Sequence, residues 1–254
     1  MSAPTVSALV VAHNEEARLE ECLKRLAFAG EIVVVLDRSS DRSEEIARKF
    51  TSSILKGAWE IEGDRRNAGI NYCRGPWVLE VDADEHVTDT LAREIAATVA
   101  ASTHDIHEIP VDNYIGARLV RYGWGASFGR SAYAGLFRKG AKSWGRERVH
   151  PKLTFKGNKG PRLKSPIQHY VDRDISDMIG RLNRYTSLRA LDLRQSGDVG
   201  SFAHNIRRIF SRFWKCYIAR RGYREGGYGF AIALCAALYP ILSYLKATLD
   251  KDRA

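Results

Sequence analysis

Glycine is missing from the first strand-to-helix turn, where a phosphate-cradling loop would need it. The apolar run at residues 6–11 passes into Ala12, His13, Asn14, Glu15 and Glu16. Neither G-x-G-x-x-G nor a P-loop can be built there, which excludes dinucleotide-binding dehydrogenases and P-loop ATPases. Cysteine is scarce: Cys22, Cys73, Cys216 and Cys235 are far apart, with no C-x-x-C pair. That indicates neither a zinc site nor a disulfide framework, and reduced thiols are expected. The N-terminus lacks a basic stretch followed by a long apolar run, so no export signal is expected. The most apolar run, residues 230–245, has 16 residues interrupted by Pro240, short of the roughly 20 that span a bilayer.

What is present is an alternation of strand and helix. Residues 6–11, 31–36 and 77–81 are near-continuous apolar runs, and 53–56 is a plausible further strand. Between and after them, helical patterns begin near Leu19, Ser43, Asp64 and Thr90. Continuous apolar strands alternating with helices predict an α/β fold, a Rossmann-like and mostly parallel sheet flanked by helices. Ligands of such sheets gather at the carboxyl ends of the strands. Asp37 and Asp82 stand at two such ends.

At residues 78–88, VLEVDADEHVT, buried-looking strand runs straight into Asp82, Asp84 and Glu85. In extended chain, residues two apart face the same way, so Asp82 and Asp84 are expected to present two carboxylates on one side. Two hard oxygen ligands suit Mg²⁺ or Mn²⁺. An EF-hand loop is excluded, because Val87 and Arg93 stand where its glycine and glutamate belong. Taken singly, Asp37 and Asp41 could be turn formers or helix caps, and Arg66 a solvated helix-face charge. His104 and His107 are too close, in an expected loop, to form a metal site by themselves.

Charge divides the chain. Residues 1–110 carry 12 Lys/Arg against 20 Asp/Glu, whereas the whole chain has a net charge of +10, so the excess of positive charge lies in the second part. From 112 to 164 glycines, aromatics and basic residues predict short strands and loops. Residues 174–196 return to a helical pattern with one apolar side. Between His204 and Glu225 seven Lys/Arg are threaded with Phe210, Phe213, Trp214 and Tyr217, a composition that favours an anionic interface. The apolar run that follows is read as a helix lying in a membrane interface, with spanning and core packing as the alternatives.

In that order, AHNEEARLEECL, EIVVVLDRSSDRSEEIA and GDRRNAGINYCRGPWVLEVDADE resemble the start of family 2 glycosyltransferases, whose fold is called GT-A. RERVHPKL, IQHYVDRDISDMIGRLNRY and WKCYIARRGYREGGYGFAIAL resemble the subgroup that adds glucose to the lipopolysaccharide core. The resemblance implies a GT-A catalytic domain over residues 1–170, with a nucleotide-sugar half of about 1–110 and an acceptor half of about 111–170. A helical, membrane-associating extension over 171–254 would follow. It implies an inverting transfer of a hexose, glucose by the same resemblance, from a UDP-sugar to a membrane glycolipid such as the lipopolysaccharide inner core. The protein would sit peripherally on an anionic membrane surface, at the cytoplasmic face of the inner membrane.

Residue by residue, the resemblance makes Asp84 the ligand of a Mg²⁺ or Mn²⁺ ion bridging the diphosphate. Asp82 would face the ribose or sugar and support that metal, and His169, with Tyr170, would reach the metal or diphosphate. Asp37 would hydrogen-bond the uracil ring, the backbone of Ala12 and His13 with Glu15 would border the nucleoside, and Arg66 would approach uracil or phosphate. The subgroup's glutamate after V-H is replaced here by Pro151, which cannot take a proton. Glu147, then His150, are the candidates for the displaced base, and Trp144 could stack on an acceptor sugar. A polyprenyl phosphate acceptor is one alternative, since it would not need a strong base. A nucleic-acid-binding protein using the basic tail is another, but it leaves Asp37, Asp82 and Asp84 unexplained.

Overall fold

The apolar runs of the first hundred residues become neighbouring strands buried on both faces. The computed structural model describes residues 5–125, 129–147 and 151–250. In chain order they form β1 (Val6–Ala12), α1 (Leu19–Lys24), β2 (Glu31–Asp37), α2 (Ser43–Arg48), β3 (Ile54–Gly57), α3 (Glu62–Tyr72), β4 (Trp77–Asp82), β5 (Glu85–His86) and α4 (Asp89–Ala101). Then come β6 (Ile106–Ile115), β7 (Arg118–Val120), β8 (Ala132–Arg138), β9 (Lys142–Trp144), β10 (Leu153–Phe155) and β11 (Ile167–Asp172). Three helices close the chain, α5 (Ile175–Ser196), α6 (Phe202–Trp214) and α7 (Gly227–Leu249). The chain forms two compact units, one of residues Met1–Val111 with Ala132–His169, the other of Asp112–Ser131 with Tyr170–Ala254.

In the first unit, β3, β2, β1 and β4 lie side by side in parallel, with Val10 opposite both Val34 and Val81. Beyond β4 the sheet turns antiparallel, through β8 and then β6. The parallel half is the part whose strands read as continuous apolar runs. Alternate residues of each strand go to opposite faces, and both faces are covered. Val10, Val34, Leu36, Leu79 and Val81 pack with Leu19 and Leu23 of α1 and Leu91 and Ile95 of α4. Leu9, Val33, Val35 and Val78 pack with Ile70 of α3. Two glycines let α3 approach closely. A Cβ at Gly69 would press on Leu9 and Val35, and one at Gly63 would meet the backbone carbonyl of Gly145.

One local expectation is corrected. β4 stops at Asp82, Ala83 and Asp84 form a turn, and β5 begins at Glu85. Glu85 is fully buried and its Oε2 accepts the N–H of Asp82 at 3.0 Å, which folds the chain back instead of letting it run on extended. β5 then pairs antiparallel with β11, placing His169 opposite Glu85.

The second unit is built on helices. Asp174 caps α5, accepting from the N–H of Asp177, and Ser201 caps α6, accepting from that of His204. Gly197, at φ 70°, ends α5 in the left-handed conformation that glycine adopts without strain. α7 is apolar and, at 23 residues, long enough to cross a membrane by length and composition. Within this unit Ile232, Ala233, Ala236 and Tyr239 are buried with Met178 and Leu182 of α5 and Cys216. The helix continues through Pro240 and is longer than the run 230–245 suggests. Two buried acids complete the unit. Asp172 takes a bidentate pair from Arg181 at 3.0 and 2.7 Å, and Glu225 accepts the N–H groups of Arg121 and Tyr122.

Gly63→Ala should lower the unfolding free energy by at least about 1–3 kcal/mol, the usual cost of overpacking, because backbone, not a movable side chain, faces it. Urea denaturation would check this; an unchanged midpoint would mean that α3 and the Gly145 loop are not closely packed.

Candidate active site

Because β1, β2 and β4 are parallel and adjacent, their last residues, Ala12, Asp37 and Asp82, emerge along one edge of the sheet. Asp37 is almost wholly buried, its side chain 4% exposed. Its Oδ1 accepts from the Trp59 N–H at 3.0 Å and from Arg38 Nε at 3.3 Å, and its Oδ2 from Arg65 Nη1 at 3.1 Å. Burial pushes the Asp37 carboxyl up, but the Trp59 N–H and the Arg38 and Arg65 charges outweigh it and hold it below the usual range. Its stabilising contribution is therefore complete above a carboxylate's ordinary pKa of about 4 and is lost as pH falls through the lower folded value. Arg65 Nε has no hydrogen-bond partner, an unspent donor beside this carboxylate.

The turn after β1 is laced to the one after β2. His13 Nδ1 lies 2.6 Å from the Asp37 carbonyl oxygen, which requires that nitrogen to carry the proton. Asn14 takes the left-handed conformation, φ 56°, that a glycine might have filled, and its Oδ1 accepts the N–H of Ser40. The N–H groups of Glu15 and Glu16 donate to Ser43 Oγ and Asp41 Oδ2. Arg38 is left-handed too, at φ 49°, a conformation costly for a side chain of its size and held here by its neighbours.

At the end of β4, Asp82 Oδ1 accepts from Arg66 Nη2 at 2.9 Å, and Arg66 Nε donates to Glu62 at 2.9 Å. Burial opposes the Arg66 charge, but Asp82, Glu62 and Glu80 raise its pKa well above the ordinary arginine value. Its guanidinium lies 4.7 Å from the centre of the Trp144 ring. Trp144 is fixed twice. Asn67 holds its backbone through two bonds of 2.9 Å, and its indole N–H donates to Glu80 at 2.8 Å. Glu80 and Lys142, side chains 3% and 1% exposed, form a buried ion pair beneath it.

Asp84, in the turn, lies 3.5 Å from Arg18 and 3.5 Å from His169 Nε2. Negative charge is nonetheless in surplus. The Glu15 carboxyl is raised by burial, then by Asp84, Asp82 and Asp41 against the opposing Arg18. The Cys22 thiol is pushed well up by burial and by Glu85, Asp84, Asp82 and Glu15. Among the described residues no three His, Cys, Asp or Glu groups form a complete metal cage. Mg²⁺ is commonly held by one or two carboxylates with substrate phosphates supplying other ligands. Two carboxylates with an excess of negative charge beside them fit such an ion.

The remaining candidates are more scattered. Glu147 Oε2 accepts the N–H of Lys152, and this bond lowers its pKa, making it a weaker base. His150 lies outside the described residues. Tyr170 belongs to the second unit and stacks on Tyr114 at 5.0 Å. His107 is a structural residue, bonded to Ser102 Oγ and the Pro161 carbonyl. Sequence reasoning missed Arg18, Arg65, Glu80, Asn67 and Lys142. Arg65 and Asn67 flank Arg66 in the same RRN segment and could have been found there; Lys142 carries no local signal.

The fold and this acidic strand-end constellation define an α/β enzyme with its candidate site at the carboxyl edge of the sheet, and comparison with known proteins identifies the family. The profile of glycosyl transferase family 2 matches residues 7–140, and the chain belongs to that family. Over 95% of its length it is 24% identical to the Rhizobium meliloti (strain 1021) protein named lipopolysaccharide core biosynthesis glycosyltransferase LpsC, covering 91% of that protein. It is 22% identical to an uncharacterized glycosyltransferase of Rickettsia bellii, covering 95% of this chain and 85% of that one. Among solved structures, S. aureus TarS 1-349 in complex with UDP matches with a TM-score of 0.51 at 15% identity, covering 94% of this chain and 90% of the other. The shared architecture is the GT-A fold, and the protein is a glycosyltransferase.

If Asp84 and Asp82 raise the Glu15 pKa through space, Asp84→Asn should bring the Glu15 titration down toward its ordinary value. Carboxyl ¹³C NMR across pH 3–8 (roughly the carboxylate range) would read it; an unmoved Glu15 curve would place its perturbation in burial alone.

Proposed function

We propose that the protein is an inverting, metal-dependent hexosyltransferase that moves glucose from UDP-glucose to a membrane glycolipid of the lipopolysaccharide core type. The observation carrying the reading is the pairing of Asp37 with Arg65 and of Asp82 with Arg66 along the carboxyl edge of a GT-A sheet, with Asp84 in the turn that follows. The LpsC relative is named for lipopolysaccharide core biosynthesis, and the TarS neighbour was solved with UDP; both support donor and acceptor of this class.

In this reading Asp37 accepts from a uracil N–H, the backbone of Ala12 and His13 with Glu15 borders the nucleoside, and Arg65 and Arg66 face the anionic half of the donor. Asp82 and Asp84 would hold Mg²⁺ or Mn²⁺, with His169 bordering Asp84. The ion supplies Lewis-acid stabilisation of the departing diphosphate. Arg66, charged at every accessible pH, adds fixed positive charge where negative charge develops. The acceptor hydroxyl must give up a proton, and the segment carrying Glu147 and His150 is assigned that task. Glu147 is anchored by Lys152, and its lowered pKa keeps it ionised and ready to accept a proton, at the expense of driving force. Trp144, locked by Asn67 and Glu80, has Arg66 and Lys142 each 4.7 Å from its ring centre, so in this reading it supports the Arg66 charge.

The second unit supports docking at an anionic surface. Phe210 and Trp214, one helical turn apart on α6, are 72% and 64% exposed, beside Arg207 and Lys215. Basic residues near such a surface contribute roughly 1 kcal/mol each. Since α7 supplies the core of this unit, the informative variant changes the surface of α6 and leaves α7 intact.

UDP and UDP-glucose, at 100 times their dissociation constants, should each stabilise the protein by about 2.7 kcal/mol, with Mn²⁺ required and Asp84→Asn abolishing the metal dependence. Thermal melting reads this, and no shift with any nucleotide sugar would refute the donor assignment. Separately, Phe210→Ser combined with Trp214→Ser should abolish flotation with phosphatidylglycerol vesicles while leaving UDP stabilisation intact. Undiminished flotation would remove α6 from the membrane contact.

A further inference from the structure

A second concentration of positive charge lies inside the helical unit, away from the exposed aromatics of α6. A cleft of about 180 Å³ is bounded by α5, the 198–200 connection, the start of α6 and the middle of α7. Arg189, His204, Asn205, Arg208, Tyr239 and Ser243 contribute to its walls. Arg208 and Arg212 are four residues apart on α6 and share one face, offset by roughly half a circumference from Phe210 and Trp214. At that spacing like charges repel each other.

Both arginines are half-buried, and neither has a carboxylate partner among the described residues. Arg208 reaches only the neutral Asn205 Oδ1, at a long 3.4 Å. Arg212 lies over the Tyr239 ring, 5.8 Å from its centre, and its Nη1 is buried without a hydrogen-bond partner. Burial, and then the charge of Arg189, pulls the Arg208 pKa below the ordinary arginine value. Burial, and then Arg208, does the same to Arg212. Two acids are nearby: Asp198 stands exposed on the cleft wall, and Asp192 lies 3.8 Å from Arg189. Neither is bonded to Arg208 or Arg212. Buried donors left unspent are costly and call for an acceptor, and guanidinium forks match the oxygens of a phosphate.

We infer that this cleft is a phosphate-binding site, lined by Arg208 and Arg189, with Arg212 one turn further along α6 over the Tyr239 ring that also lines it. It is separate from the donor site of the first unit and does not depend on that assignment. Its ligand is a phosphate group with several free oxygens, either the headgroup of an anionic lipid or a free phosphate. The site adds a specific contact to a surface otherwise drawn to lipid by exposed aromatics and net charge.

The test is calorimetric titration of the full chain with inorganic phosphate, and separately with short-chain dihexanoyl phosphatidic acid below its micelle concentration, both at matched chloride ionic strength. Arg208→Gln should weaken binding by about tenfold, the order expected for one charge-assisted hydrogen bond. Arg184→Gln, exposed on α5 and not lining the cleft, should leave it within about twofold, a difference of under 0.5 kcal/mol. Equal affinity for both ligands identifies free phosphate as sufficient, and binding of the phosphatidic acid alone identifies the headgroup. Absence of binding in both arms, or equal losses from Arg184→Gln and Arg208→Gln, overturns the proposal. Should Arg208→Gln unfold, the ¹⁵Nε resonances of Arg208 and Arg212 in the wild-type protein decide: they must shift on ligand addition, and unmoved signals overturn the site.

Discussion

Two carboxylates at the ends of buried parallel strands must be neutralised, and consecutive arginines of one helix do it. Arg65 reaches Asp37 at the end of β2, and Arg66 reaches Asp82 at the end of β4, two strands that flank β1. Neighbouring residues on a helix point about 100° apart, so a single helix lying over β1 can serve both ends. Gly69 permits that placement, because any larger residue would lift α3 off Leu9 and Val35. The polar edge is therefore set by how closely an apolar face packs.

The same helix organises what lies beyond the strand ends. Asn67, one residue past the arginines, clamps the backbone of Trp144, and Gly63 at the start of α3 lets the chain around Gly145 come against it. A single 11-residue helix thus fixes two strand-end acids and an aromatic side chain almost 80 residues later in the chain. Such preorganisation lowers the conformational entropy lost when a ligand is bound.

The parallel half of the sheet was legible because strands buried on both faces leave unbroken apolar runs, as at 31–36. Asp37 and Asp82 were legible because charges directly after such runs are rare and must be explained. The turn at Ala83 was not. It depends on Glu85, fully buried and bonded back to Asp82, a tertiary arrangement that overrides the extended pattern. Lys142 was invisible for a similar reason, since a lysine in a short segment reads as surface until its partner Glu80 is found on another strand. Residues 230–245 read as one apolar helix, and their periodicity alone could not separate a membrane-facing helix from the interior packing seen in α7.

The Glu80–Lys142 pair has a historical consequence. Losing either member leaves a buried charge without compensation, typically at a cost of 3–5 kcal/mol, while exchanging both for apolar residues of similar volume is often neutral. A lineage carrying this pair therefore faces a valley between two acceptable states, and single changes lead downhill from both. Positions 80 and 142 should consequently diverge together across descendants of this chain, as a correlated pair of substitutions.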